Sequence, residues 1–184
     1  IRLHHPEHGL IVPPLFLPLI RKLGLEFELT EFVIQQVAHN WNEWHHRDHN
    51  LRLSINIDSA VIAHANFPKM IKTALLKAQM PPGNLTLEIT QSEDAQITEA
   101  VTSNILELRL SGFQLSLDDF GGQSLSLETL KDLPIDEIKI HRDVIAHLQN
   151  DPNAKSVVKN ALHVSNQLGL RVVAVGVENE QDAV

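Results

Sequence analysis

The feature that most constrains this chain is a recurrence. From residue 51 onward, short strand-like runs alternate with longer helix-like ones. LRLSIN (51–56) precedes NFPKMIKTALLKAQM (66–80), where Asn66 is placed to cap a helix and Pro68 is tolerated in its first turn. LTLEIT (85–90) precedes ITEAVTSNILELRLSG (97–112), which closes on Gly112. FQLSLD (113–118) precedes a shorter helical stretch over 124–133. DEIK (136–139) precedes a helix that starts after Pro152 and runs to Gly169, and RVVAV (171–175) precedes a helix beginning near Glu180. Such a series predicts an α/β fold with a parallel sheet and helical crossovers. Upstream, helical patterns cover 14–23 and 30–46.

A doubly wound sheet and a barrel both fit that alternation, and the strands favour the barrel. Side chains along a strand alternate between its two faces. One face carries Ser54/Asn56, Thr86/Glu88, Ser116/Asp118 and Glu137/Lys139; the other carries Leu53/Ile55, Leu85/Leu87, Leu115/Leu117, Ile138 and Val172/Ala174. The apolar face should meet helices, and the polar face should line an interior. Aligned by their ends, the strands finish at Asn56, Glu88, Asp118 and Lys139, polar residues on that interior face. In a (β/α)8 barrel such ends converge at the C-terminal rim, where the chemistry sits. The fifth strand departs from the series by placing Val175 at the equivalent position, with Glu178 following.

Asn56, Glu88, Asp118 and the adjacent Asp119 make an all-oxygen donor set, suited to a hard divalent cation such as Mg2+ or Mn2+. Two carboxylates about 4 Å apart repel by roughly 4 kcal/mol at an effective dielectric near 20, so several at one rim call for a cation or a proton. Lys139 can neutralise part of that charge or meet a substrate phosphate. The competing reading makes these residues helix caps, as Asp and Asn often are. A repeated register over several strands argues against it.

Composition narrows the partners. A net charge of −8 without a basic stripe makes a nucleic-acid duplex an unsuitable ligand. The absence of cysteine removes disulfides and thiolate metal sites and agrees with a reducing cytoplasm. The most apolar early stretch, GLIVPPLFLPLI, is too short to span a bilayer and holds three prolines, so no membrane contact is expected of this domain. The chain opens on Ile1, which reads as an excised segment. HHPEHG (4–9) reads as a proline-directed turn. His45, His46 and His49 after Trp41 and Trp44 read as a solvated helix end more readily than as a metal site. The DFG triplet (119–121) stands without the glycine-rich loop, lysine strand or HRD loop of a protein kinase.

With these residues in view, the chain resembles the EAL family of bacterial cyclic-di-GMP phosphodiesterases over essentially its whole length. IRLHHPEHGLIVPPLFLPLIRKLGL is similar to the family segment after the name-giving Glu-Ala-Leu, with Arg2 at the substrate-contacting arginine. SINIDSA, LTLEITQS and LSLDDFG are similar to the stretches supplying the metal ligands, here Asn56, Glu88, Asp118 and Asp119. DEIKI supplies Lys139, and VVAVGVEN resembles the late strand ending in Glu178. The resemblance implies one modified TIM barrel over 1–184, lacking its first strand and its last strand–helix region. It implies catalytic roles for Lys139, Asp119 and Glu178, and substrate contacts from Arg2 and Lys139. It also implies cleavage of cyclic di-GMP to linear pGpG with two Mg2+ or Mn2+ ions about 3.5–4 Å apart, clamping the attacking and leaving oxygens.

The departures from the family pattern bear on activity. Val175 replaces the glutamate that serves as general base and second-metal ligand, a loss that typically costs about 10²- to 10⁴-fold. Gln91 replaces an acid that steadies the loop behind the aspartates, and that loop reads DFGGQSLS instead of Asp-Phe-Gly-Thr-Gly-Tyr-Ser-Ser. His141 replaces an aspartate, and Leu3 a tryptophan. The Glu-Ala-Leu glutamate would fall before Ile1 and a closing strand after Val184. The expected function is therefore a cyclic-di-GMP signalling domain with weak or no hydrolysis, acting as a receptor or regulatory module. An active phosphodiesterase, a protein-interaction domain that binds no nucleotide and, more distantly, an unrelated metal-dependent barrel enzyme remain the alternatives. Family habit adds sensory, receiver or cyclase-like domains in the same polypeptide, a cytoplasmic location for the domain, and a homodimer.

Overall fold

The computed structural model describes residues 1–90, 97–121 and 133–177. The chain forms two compact units: residues 1–51 with 66–80, and residues 52–65 with 81–184.

The first unit opens with an antiparallel hairpin, β1 (Leu3–His5) and β2 (Gly9–Ile11), in register Leu3↔Ile11. The HHPEHG turn expected from Pro6 is the turn of this hairpin. His5 Nδ1 closes it by accepting the backbone N–H of Glu7 (3.1 Å) and of His8 (3.2 Å). Helix α1 (Pro13–Leu23) starts on a proline, where the missing N–H costs nothing, and ends at Gly24, whose φ of 66° suits a residue without Cβ. Helix α2 (Glu26–Arg47) is longer at its start than the expected 30–46. Its early Glu26 and Glu28, and its late His45, His46 and Arg47, match the helix dipole at both ends. Helix α4 (Phe67–Lys77) carries Pro68 in its first turn, as expected. Asn66 holds the N-cap position without a side-chain capping bond. α4 packs on α2, with Ile34, Trp41, Phe67, Ile71 and Leu75 buried in this unit.

The second unit contains a five-stranded parallel sheet of β3 (Leu53–Asp58), β4 (Leu85–Thr90), β5 (Gln114–Phe120), β6 (Glu137–Ile140) and β7 (Arg171–Ala174). The strands lie in chain order, each hydrogen-bonded to the next. A doubly wound sheet has a point at which strand order reverses; here no such point occurs among the described strands. Unbroken parallel order is the arrangement of a (β/α)8-type barrel arc. Ile55, Ile57, Leu85, Leu87, Ile89, Leu115, Leu117, Ile138 and Ile140 are all buried, as the alternation requires of the apolar face. The short helix α3 (Ser59–Ile62), α5 (Glu99–Leu110), the short α6 (Arg142–Ala146) and α7 (Pro152–Leu168) complete the unit. α7 starts after the Asp151 cap and ends at Gly169 (φ 70°), matching the expected helix from Pro152. The helix expected over 124–133, apart from Leu133, the helix expected from Glu180, and the loop after Gly121 lie outside the described residues.

Candidate functional site

Strand pairing places the candidate residues. Asn56 stands opposite Glu88, Glu88 opposite Ser116, Ser116 opposite Glu137, and Glu137 opposite Arg171. All lie on the polar face. Aligning the strands by their ends had set Asn56, Glu88, Asp118 and Lys139 in one row. The pairing corrects this: Asp118 and Lys139 lie two residues beyond the row through Asn56 and Glu88. Such stagger is what tilted strands in a barrel-type sheet produce. Lys139 spans it, since its ammonium donates to Glu88 Oε1. Both side chains are largely buried, at 19% and 10% exposure.

Asp118 and Asp119 are neighbours in a strand, so regular pleating would send them to opposite faces. A β-bulge prevents that. Leu117 pairs with Ile138 and Phe120 with Ile140, so three steps along β5 match two along β6. The extra residue returns Phe120 to the apolar face, where it is buried, and leaves both aspartates opposite Lys139. Asp119 absorbs the distortion with φ 59°, a left-handed conformation that Asp tolerates better than most residues. Its backbone N–H donates to Asp118 Oδ1 at 3.0 Å. This bulge was not anticipated, although a signal was there: LDDF puts two polar residues between apolar ones where strict alternation allows one.

Burial raises the pKa of Asp118 above the ordinary carboxylate value, and the charge of Asp119 adds to it; the hydrogen bond from Asp119 N and the ammonium of Lys139 pull the other way, while Glu88 raises it further. The rim thus holds more negative charge than Lys139 alone relieves. Asn56, Glu88, Asp118 and Asp119 offer only oxygen donors, the donor type that suits a hard divalent cation.

The helix-capping alternative can be tested directly on this sheet. α3 is capped by Asp58, whose carboxylate accepts from Ala60 N at 2.9 Å. α5 is capped by Thr98, accepting from Val101 N at 3.3 Å, and α6 by His141. Asn56, Glu88 and Lys139 cap none of these helices. Their place on the polar face therefore has another cause.

One layer below the rim, Ser116 Oγ donates to Glu137 Oε1 at 2.9 Å, and Arg171 Nε lies 3.3 Å from Glu137 Oε2. This ion pair continues the polar face onto β7. Beyond Arg171 that face carries Val173, opposite Lys139, and then Val175 in the same alternation. Val175 donates its backbone N–H to Ile140 O at 3.2 Å, so the position is held to the sheet but brings an apolar side chain. Glu178 and Gln91 lie outside the described residues. Arg2 belongs to the first unit, where it is exposed and donates from Nη1 to Ile1 O at 2.6 Å.

Two histidine clusters lie in the first unit. His45 stacks on Trp41 with ring centroids 4.6 Å apart and meets His49 edge-on at 5.3 Å, an aromatic helix end. His5, Glu7 and His8 lie close enough for a metal, but the His5 Nδ1 lone pair is already committed to two backbone N–H groups of the turn. No helix among the described residues is long and apolar enough to cross a membrane.

Comparison with known proteins agrees with this fold. The family model described as the EAL domain matches residues 1–184. The chain is 35% identical over 183 residues to the bifunctional diguanylate cyclase/cyclic di-GMP phosphodiesterase MucR of Pseudomonas aeruginosa, a match covering 98% of this chain and 26% of that protein. It is 32% identical over 178 residues to a second protein of that organism named a cyclic di-GMP phosphodiesterase, covering 97% and 30%. Among solved structures, the PaMucR phosphodiesterase in complex with c-di-GMP aligns with a TM-score of 0.88 at 34% identity, covering 98% of this chain and 74% of that one. The chain spans about a quarter of the length of the curated relatives it matches.

Proposed function

The chain belongs to the EAL domain family, and on that footing we propose that it recognises cyclic di-GMP at the polar rim of its sheet while hydrolysing it weakly or not at all. In this reading residues 1–184 are part of one EAL-type domain that serves as a receptor or regulatory module in a larger bacterial signalling protein. The names of the similar phosphodiesterases and the c-di-GMP complex of PaMucR support the choice of ligand.

Asn56, Glu88, Asp118 and Asp119 would hold divalent metal, Mg2+ or Mn2+. When bound, such a cation acts as a Lewis acid on phosphoryl oxygen and lowers the pKa of a bound water. The chain's own residues do the rest. The bulge turns Asp118 and Asp119 to the same face, and Lys139 offers its ammonium to Glu88 or to a substrate phosphate. Arg2 is assigned a second contact to the ligand, and Glu178 a supporting role at the end of the last strand.

The observation that carries the reading is the apolar end of β7. Four strands bring oxygen or ammonium groups to the polar face, whereas the fifth brings Val173 and Val175 beyond its ion pair. Ligands for a cation remain while no carboxylate stands at Val175 to take a proton from water. Loss of a general base typically costs about 10²- to 10⁴-fold in rate, which makes turnover small while the remaining oxygen donors and Lys139 are kept for the ligand.

Chromatography of cyclic di-GMP incubated with the protein and Mn2+ tests this. The wild type should leave the nucleotide nearly intact, and Val175→Glu should release linear pGpG at least about 10²-fold faster. Wild-type turnover near the usual enzyme rate of about 10 per second would overturn the receptor reading in favour of an active phosphodiesterase. No gain in Val175→Glu would move the defect away from β7.

A further inference from the structure

We infer that His141 is a positioning residue for Asp119: its Nε2–H, fixed by a helix cap at the other ring nitrogen, holds the Asp119 carboxylate in orientation for a cation. The inference rests on the metal-holding reading of the rim given above.

His141 follows β6 directly, two residues past Lys139, and is the N-cap of α6. Its backbone N–H donates to Phe120 O at 3.0 Å, which ties it to the end of the bulged strand. Its Nδ1 accepts the backbone N–H of Asp143 at 3.1 Å. A ring nitrogen that accepts must present its lone pair, so the neutral imidazole carries its proton on Nε2. That nitrogen faces Asp119 Oδ1 at 3.9 Å.

The surroundings of the ring favour the same assignment. The Asp143 carboxylate lies 3.7 Å from Nδ1, farther than the Asp143 N–H, and is shared with Arg142 Nε at 3.7 Å. His141 is mostly covered, at 28% exposure, whereas the Asp119 side chain is 61% exposed. Among the described residues no side chain lies within hydrogen-bond distance of the Asp119 carboxylate, and His141 Nε2 at 3.9 Å is within a small rotation of that reach. With its proton on Nε2, His141 donates and does not coordinate, so the rim keeps its oxygen-only donor set. Hydrogen bonds to ligating carboxylates fix their orientation, and losing one typically costs about 10- to 100-fold in metal affinity.

Three substitutions separate this role from simple capping. Asn at 141 keeps a short side-chain oxygen for the Asp143 N–H but lacks the distal donor. Gln reaches with an N–H to the Nε2 position but caps poorly. Ala does neither. Calorimetric titration with Mn2+ alone should show His141→Asn binding about 10- to 100-fold more weakly than wild type at an unchanged Tm. His141→Gln should retain most of the affinity at a lowered Tm, and His141→Ala should lose both. Nitrogen-15 NMR of the metal-free protein should find the imidazole proton on Nε2. Wild-type affinity in His141→Asn, equally weak binding in His141→Gln, or a proton on Nδ1 would each overturn the inference while leaving the metal site standing. Absence of Mn2+ binding by the wild type would instead overturn the metal reading itself, and this inference with it.

Discussion

At Asp118 the fold and the proposed chemistry pull against each other. Burial and then the Asp119 charge raise its carboxyl pKa in the folded state, so the native protein holds a proton that the unfolded chain gives up. Across the interval between the ordinary carboxylate value and this raised one, the native state binds more protons, and stability falls as pH rises. Below that interval both states are protonated and the penalty vanishes; above it the penalty is complete. Thermal denaturation of the metal-free protein should show this decline, and Asp118→Asn should flatten it in that window and raise Tm at neutral pH. Saturating Mn2+ should raise the wild-type Tm at neutral pH and leave the Asp118→Asn Tm nearly unchanged, since the variant lacks a ligand. An equal decline in both proteins would contradict the electrostatic picture. The polar face of the sheet was legible from sequence, because Asn56, Glu88, Asp118 and Lys139 recur at strand ends and the strand pairing sets them on that face. The place of His141 was not, because a replaced residue says what is missing from a pattern and nothing about what its ring nitrogens meet.

Among elements, β5 is the one that builds the site. Its apolar residues Leu115, Leu117 and Phe120 are buried, and the odd spacing between the last two forces the bulge that turns both aspartates to one face. The strand can end there only because Gly121 takes φ 91°. A Cβ at Gly121 would lie 2.6 Å from Val157 Cγ1 on α7 and 3.1 Å from Val144 Cγ2 on α6. Gly121→Ala should therefore destabilise the protein by about 3 kcal/mol, combining a left-handed backbone penalty with overpacking. It should also weaken Mn2+ binding by displacing the bulge. Urea denaturation and calorimetry read the two effects, and a wild-type midpoint would contradict the close packing of Gly121 against Val157 and Val144. The strands and most helices were readable from alternation, prolines and terminal glycines, which act locally. Register was not, because it depends on how tilted strands stagger, and the bulge adds a residue that end-alignment conceals.

For the whole molecule, the decisive property is sequence order converted into spatial order. Each strand pairs with the next in the chain, so residues some 80 positions apart, Asn56 and Lys139 among them, come to one polar face without any long-range motif. This is why a barrel-type fold and the polar face of its sheet could be read from repetition alone. That reading has a limit: Arg2 lies in the first unit, outside the strand series, and the contact proposed for it rests on family resemblance alone. The central claim is recognition of cyclic di-GMP without efficient turnover. It is tested most directly by calorimetric titration of the protein with cyclic di-GMP in Mn2+, followed by chromatography of the cell contents. The account predicts saturable binding, lost in Asp118→Asn, with the nucleotide recovered uncleaved. No binding at high micromolar ligand, or recovery of linear pGpG in place of the cyclic form, would contradict it.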